Sequence, residues 1–185
     1  MRSKMTWILG VTLVFVTGTV AAQSTTDHPG YFPVEEMGIL DGGNLKVDVD
    51  LQGAMLQLVS AAMEEEDDAG LADMVSNLER IRVQVGSIDS ADVATVASRI
   101  DDAVSRLTAS GWDRILKVVE EGEQVYLFAR EDAGSIVGLT VLVNDGGEEA
   151  VVVNIVGTID PSTLGRMLSD IGDISYLEKY MDVVE

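Results

Sequence analysis

The sequence predicts an α+β fold, a two-layer arrangement in which helices pack on a mostly antiparallel sheet in the order β-α-β-α-β-β-β-β-α. Two observations support this prediction. Apolar and polar residues alternate in two early segments, and each is followed by apolar residues at helical spacing. After Trp112 the helical spacing stops, and four strand-like segments follow with short polar turns between them.

The first half of the chain contains two strand–helix units. Residues 45–51 and 81–85 have the period of two that is typical of half-buried strands. An acidic run at 64–68 interrupts the first helical segment, and Ser90 and Gly111 are suited to cap the second at its two ends. The apolar positions are Met55, Leu58, Val59, Ala62 and Met63 in the first segment, and Val93, Val96, Ile100, Val104 and Leu107 in the second.

The second half of the chain predicts a four-stranded meander. Its strands lie at 114–119, 124–129, 136–143 and 150–156, and the polar turns between them are short enough to join antiparallel neighbours. Asp160 then caps a helix with Pro161 at its first position. The apolar residues of this helix and of a last short helix are Leu164, Met167, Leu168 and Ile171, then Ile174, Leu177, Met181 and Val184.

The meander strands are apolar on both faces, which is typical of strands that are covered on both sides. We expect one face to share a core with the helices, and its members to be Val153, Ile155, Met55, Leu58, Val96 and Ile100. The other face is covered either by the C-terminal helix and the N-terminal arm, or by a protein partner or a second copy of the chain. The candidate residues for this interaction face are Tyr126, Phe128, Ile136, Gly138 and Leu142.

Residues 1–22 predict a signal peptide. Arg2 and Lys4 precede an apolar run at 7–20, and small residues precede a cleavage site after Ala22. The apolar run is shorter than the roughly 20 residues of a membrane-spanning helix. We therefore expect cleavage and no membrane insertion afterwards, giving a soluble protein in the periplasm or outside the cell. It consists of a surface arm at 23–43, whose apolar piece at 37–40 docks on the body, and a single α+β domain at 44–185.

The composition argues against several classes of function. The 185 residues include 32 Asp or Glu, 12 Lys or Arg, one His and no Cys, for a net charge of −20. Nucleic-acid binding requires clustered basic residues, so no nucleic-acid partner is expected. Without Cys the chain cannot form disulfides, thiolate nucleophiles or Cys-ligated metal sites. No cofactor is expected either, because the sequence has no phosphate-binding loop and no dinucleotide fingerprint.

Three polar features are candidate sites, and each has a simpler interpretation. His28 lies among turn residues of the arm, where it cannot be held rigidly beside a nucleophile. Asp48 and Asp50 resemble the start of a calcium loop, but Val59 stands where the bidentate Glu is required, so they indicate the solvated side of a strand. The acidic run at 64–68 is typical of a solvated helix end or loop. The sequence thus predicts no catalytic, cofactor-binding or metal-binding residue.

Several segments of the second half resemble a known family. Residues 148–160, followed by a helix from Pro161, resemble the C-terminal hallmark of the bacterial domain-of-unknown-function 4252 family, and the strands after Trp112 and from Ile136 are similar to it too. The resemblance covers residues 45–170 and implies an exported α+β domain with no assigned activity and no catalytic residues. Many relatives resemble lipoproteins with an N-terminal Cys, which this chain lacks.

Together these observations predict a non-catalytic binding or interaction protein of the bacterial cell envelope. Two other functions remain open at this point. A hydrolase that uses paired carboxylates would require a cleft of buried carboxyl groups with raised pKa. An acidic protein that responds weakly to divalent cations would use the acidic runs. If copies of the chain associate, their shared negative charge predicts that association increases with salt.

Overall fold

A computed structural model describes residues 25–40, 44–65, 69–89, 91–120 and 122–161 of the chain. All six predicted strands are present, and each extends slightly beyond its predicted bounds. The strands are β1 (Leu45–Gln52), β2 (Leu78–Ser87), β3 (Asp113–Glu120), β4 (Glu123–Asp132), β5 (Ser135–Asn144) and β6 (Glu149–Ile159). The helices are α1 (Ala54–Glu65), α2 (Ala69–Ser76) and α3 (Val93–Ala109), with 3-10 turns at Thr25–Asp27 and Val34–Met37.

The strands form a single six-stranded antiparallel sheet in the order β1-β2-β6-β5-β4-β3. The predicted meander is therefore correct, because β3 to β6 are neighbours in sequence and in space. β2 pairs with β6, which places β6 in the middle of the sheet, while β1 and β3 form its edges. The predicted α+β class is confirmed.

Helices pack on both faces of this sheet. In β4, β5 and β6, even-numbered residues such as Phe128 and Leu142 share a core with α3. Odd-numbered residues of the same strands, such as Ala129 and Leu139, share a second core with α1 and α2. The sheet thus lies between two helical layers, and the predicted two-layer packing does not hold. Over the described residues the order is β-α-α-β-α-β-β-β-β, because α1 and α2 are separate helices. The helices predicted after Pro161 lie outside the described residues.

The core expected around Val153 and Ile155 is divided by this arrangement. Ile155 packs against the core of α1 and α2, but Val96 and Ile100 of α3 lie on the opposite face. Within α1, Met55 and Leu58 are 51% and 64% exposed. Val59 and Met63 pack against the core as predicted, but the helix is rotated so that it also buries Leu56 and Ser60. The Ser60 hydroxyl donates a hydrogen bond to the carbonyl of Ala72 in α2 at 2.9 Å.

The described part of the arm, residues 25–40, belongs to the core. Phe32, Val34 and Ile39 are 4%, 2% and 2% exposed and pack with α3 and the even-numbered strand residues. The Phe32 ring meets the Trp112 ring edge-on, with centroids 6.2 Å apart. The predicted docking piece at 37–40 does contact the body, and Phe32 and Val34 before it are buried in the same core. We call the sheet face covered by this arm and α3 the arm face.

Candidate functional site

The five residues predicted to form an interaction surface lie mostly inside the protein. Tyr126, Phe128 and Leu142 are 3%, 0% and 0% exposed beneath α3 and the arm. Gly138 is buried on the same face, whereas Ile136 is half-buried on the opposite face with the core of α1 and α2. The five residues therefore do not form one exposed surface, because the chain's own arm and α3 cover the face to which most of them belong.

Two local features of β5 explain this placement. The register between β5 and β6 shifts between Ile136 and Gly138, and such a bulge turns Ile136 to the other face. At Gly138 the backbone of the arm passes directly over the strand, since a Cβ added to Gly138 would lie 2.6 Å from the Cα of Gly30. Because Gly30 and Gly138 both lack a Cβ, the arm can lie directly against the sheet here.

A second set of apolar residues lies on the opposite face and is only partly covered. Residues that stand directly opposite one another on neighbouring strands form two rows that cross all six strands; their members are even-numbered in β3 and odd-numbered in the other strands. We call these two rows the valine face. The outer row is Val47, Val85, Val151, Val143, Val125 and Val118, and the inner row is Val49, Val83, Val153, Val141, Leu127 and Leu116.

None of the valine-face residues is fully buried. Val47 is 42% exposed, and the other members of both rows are half-buried. The next row along the sheet, which includes Leu51, Ile81 and Ile155, packs against the core of α1 and α2. Of the valine face, only Leu127 packs against that core. The described helices therefore cover one end of this sheet face and leave the two rows beside it partly open.

Acidic residues border the outer row. Glu120 and Glu123 pair across the β3–β4 turn, two residues beyond Val118 and Val125, so their side chains belong to the same face. Glu149 lies two residues before Val151 and is paired with Lys46 at 3.2 Å. Within the described residues, neither Glu120 nor Glu123 forms an ion pair. Like charges opposite each other on one face repel, so this border attracts cations.

The arm face also carries an ionic cluster over β1 and β2. The Arg80 and Arg82 side chains are 8% and 9% exposed, and both donate hydrogen bonds to Glu35 of the arm, at 2.7 and 2.8 Å. Arg80 also donates to Asp50 at 2.9 Å, and Arg82 pairs with Asp48. The hydrogen bond between Arg80 and Asp50 raises the pKa of Arg80 and lowers that of Asp50 from 3.8. The cluster ties the arm to the sheet.

This geometry gives the polar candidates structural roles. Asp48 and Asp50 share one face as predicted, but they neutralise buried arginines rather than line a solvated side. The Nδ1 atom of His28 accepts a hydrogen bond from the Gly30 amide at 3.1 Å, and its Nε2 atom lies 3.7 Å from Glu79. In the described part of the chain, no three His, Asp or Glu side chains are arranged to hold a metal ion. Among the described helices, none has the length and apolar character needed to cross a membrane.

Sequence reasoning missed three features of these two faces. Arg80 and Arg82 occupy polar positions of the alternating pattern in β2. Alternation alone does not distinguish a row of solvated side chains from a row of buried, ion-paired ones. Asn154, which is 0% exposed, is the one polar residue in the apolar stretch of β6, and that interruption is a signal that could have identified it. The valine face can be identified only once the pairing of the strands is known, although the odd-numbered valines of β2, β5 and β6 already indicate an unusually uniform row.

Comparison with known proteins identifies a family for this chain. Residues 43–167 match the family model described as Domain of unknown function (DUF4252). The matched range contains every strand of the sheet, and therefore the whole valine face, and it continues past the end of β6. Neither a curated protein nor a solved structure matches the chain.

Proposed function

The chain belongs to the DUF4252 family, and we propose that it is an exported, non-catalytic protein of the bacterial cell envelope that binds another protein through the valine face. The observation that carries this proposal is the pair of apolar rows that cross all six strands and that the described helices leave half-exposed. Contiguous apolar surface of this kind is costly to leave in water and usually marks an interaction site.

The ionisation of the carboxyl groups supports a non-catalytic role. A carboxyl group that acts as a general acid needs a raised pKa. Two described carboxyl groups have shifted pKa values, and both shifts are downward. The hydrogen bond from Arg80 lowers the pKa of Asp50. Burial opposes ionisation of Asp145, but the backbone N–H groups of Glu149, Glu148 and Gly147 outweigh it and lower the pKa of this carboxyl group. These two groups are held as anions, so neither is suited to be the general acid of a carboxylate-based hydrolase.

The dimensions of the valine face suit a single amphipathic helix. Six strands spaced about 4.8 Å apart span roughly 24 Å, and two rows of side chains cover a band about 14 Å deep. A helix with its side chains is about 10–12 Å across, and roughly 16 residues at 1.5 Å per residue span 24 Å. Because Glu120 and Glu123 border this band without ion pairs in the described residues, the partner segment should carry Lys or Arg beside its apolar stripe.

A designed peptide tests this chemistry directly. The probe is an 18-residue helical peptide with leucines on one face and lysines elsewhere. The control is the same peptide with glutamates in place of the lysines. Calorimetry with the full chain should show binding of the lysine peptide, weaker binding as salt increases, and little binding of the glutamate peptide.

The control separates the valine face from the general acidity of the chain. Val143→Asn changes the outer row without changing charge, and Ser105→Asn makes a matched change on the exposed side of α3. Burying an unpaired amide costs about 1–3 kcal/mol, so Val143→Asn should weaken binding about tenfold or more while Ser105→Asn leaves it unchanged. Equal binding by both variants would mean that the peptide binds by charge alone, and the proposed surface would be wrong.

A further inference from the structure

We propose that copies of this chain associate head to tail, by pairing the β3 edge of one copy with the β1 edge of the next. The pairing joins six-stranded sheets into a longer sheet in which both valine rows continue from copy to copy. It is a property of the two sheet edges and does not depend on what binds to the valine face.

The two edge strands are the open parts of the sheet. No residue of β1 or β3 is fully buried, whereas each of the four strands between them has buried residues. Among the described residues, three of the five exposed large apolar side chains lie on these edges, namely Val47, Ile115 and Val119 at 42%, 62% and 54% exposure. An edge strand also has a row of backbone N–H and C=O groups without a strand partner, which can pair with another chain.

The topology of the sheet determines how the two edges meet. Because six strands follow one another antiparallel, β1 and β3 run in opposite directions. A second copy that continues the sheet beyond β3 therefore brings its β1 alongside in antiparallel orientation. Continuing the outer row places Val118 opposite Val47 of the second copy, and continuing the inner row places Leu116 opposite Val49. A slip by one residue would turn these apolar side chains to the other face.

In this register, opposite charges face each other across the new strand pair. Lys117 lies opposite Asp48 of the second copy. The β3 bulge between Arg114 and Leu116 shifts the next pair by one residue, so Arg114 lies opposite Asp50. Both bases are paired with residues of β4 that belong to the arm face, and the two carboxylates lie on that same face. Opposite charges directly across from each other stabilise a strand pair.

These charged groups are accessible. The Asp48 and Asp50 side chains are 48% and 38% exposed although each contacts a buried arginine, and a carboxylate can accept several hydrogen bonds. Arg114 and Lys117 are exposed, and neither forms an ion pair with another described residue. With two acids and two bases, β3 is neutral in a chain whose net charge is −20. This edge is therefore a place where a second acidic copy can approach.

The pairing should be short and reversible. The bulges of β1 and β3 limit the uninterrupted part to residues 116–118 of one copy against 47–49 of the next. The net charge repels copies at low ionic strength. At about 0.15 M salt the Debye length is roughly 8 Å, which screens this long-range repulsion more than the attraction between directly opposed groups.

Disulfide trapping tests the pairing and its register, since the full chain has no Cys. Val118→Cys and Val47→Cys are made as separate variants, mixed at about 0.15 M salt and mildly oxidised. A mixed disulfide should form, because directly opposite residues have Cβ atoms about 4.5–5.5 Å apart. Neither variant alone should cross-link, since head-to-tail pairing does not bring a residue next to its own copy. Val119→Cys, a more exposed neighbour on the other face, should not replace Val118→Cys.

A charge reversal tests the ionic pairs. Adding Lys117→Glu to Val118→Cys should lower the yield of the mixed disulfide about tenfold, because an attractive pair becomes a repulsive one. Arg106→Glu makes the same change of net charge at an exposed position of α3 and should leave the yield unchanged.

Three results would overturn the proposal. Cross-linking of Val118→Cys with itself would show two-fold pairing of β3 with β3. Equal yields from Val118→Cys and Val119→Cys, or equal effects of the two charge reversals, would show collision without a register. Absence of the mixed disulfide would show that the edges do not pair, provided that both thiols react with maleimide and circular dichroism verifies that the variants are folded.

Discussion

The two faces of the sheet are built from the same strands, yet they are closed to very different extents. Leu142 on the arm face is 0% exposed, while Val143, the next residue of β5, is half-buried on the valine face. Both faces are apolar over the meander. The difference therefore comes from the elements that cover them, not from the hydrophobicity of the strands.

The arm face shows what fixes a cover in place. Asn154 on β6 accepts a hydrogen bond from the Phe32 amide at 3.2 Å and donates to the Gly30 carbonyl at 3.2 Å, so the arm has one position relative to the sheet. Arg80 and Arg82 add ionic bonds to Glu35, three residues further along the arm. Apolar contacts are non-directional, whereas buried hydrogen bonds must be satisfied in one geometry. The two rows of the valine face offer only apolar contacts, which do not fix one position for a bound segment.

The largest expected difference is between the two neighbouring residues of β5. Leu142→Ala removes a fully buried side chain and should cost about 2–5 kcal/mol of unfolding free energy. Val143→Ala removes a smaller, half-buried side chain and should cost about 1 kcal/mol or less. Urea unfolding of both variants measures the difference. Similar costs at the two positions would mean that the valine face is as fully closed as the arm face.

The polar anchor of the arm should have the next largest effect. Asn154→Ala leaves the Phe32 amide and the Gly30 carbonyl without their partner inside the core, and should cost about 2–3 kcal/mol. Hydrogen exchange at the Phe32 amide should accelerate by more than the loss of global stability explains, because the arm opens first. Thr158→Ala, at an exposed position of the same strand, is the control and should stay within about 0.5 kcal/mol. Unchanged protection of Phe32 would show that apolar contacts alone hold the arm.

The smallest expected effect is a dependence of stability on pH that comes from Asp50 on the arm face. The hydrogen bond from Arg80 lowers the pKa of Asp50 from 3.8, so the folded state gains stability that is present above pH 3.8 and is lost as the pH falls through the folded value. Asp50 is 38% exposed, so its share should stay within about 1 kcal/mol. Urea midpoints at pH 7 and pH 3 should differ less in Asp50→Asn than in the parent chain. Ser105→Asn, on the exposed side of α3, changes no titratable group and should keep the parent's acid response; an equal reduction there would contradict the assignment of this response to Asp50.

Much of the local structure could be predicted from the sequence. The alternation in residues 45–51 and 81–85 identified β1 and β2, and the spacing of Val96, Ile100 and Leu107 identified the buried side of α3. These patterns arise between residues a few positions apart and depend on the helical and strand periods alone. The orientation of α1 was predicted only in part. Val59 and Met63 pack against the core as predicted, but the helix also buries Leu56 and Ser60, a polar residue whose partner is the carbonyl of Ala72 on another helix.

The sequence by itself determined the strands, most of the helical pattern, the α+β class and the fact that the meander is apolar on both faces. The tertiary structure alone decided which face is closed and which stays open. Alternation defines two sets of side chains but does not say which set contacts the arm. The bulge next to Ile136 moves this residue from one set to the other. The decisive contact joins Phe32 and Asn154, 122 residues apart, so the choice depends on a hydrogen bond that no local pattern contains.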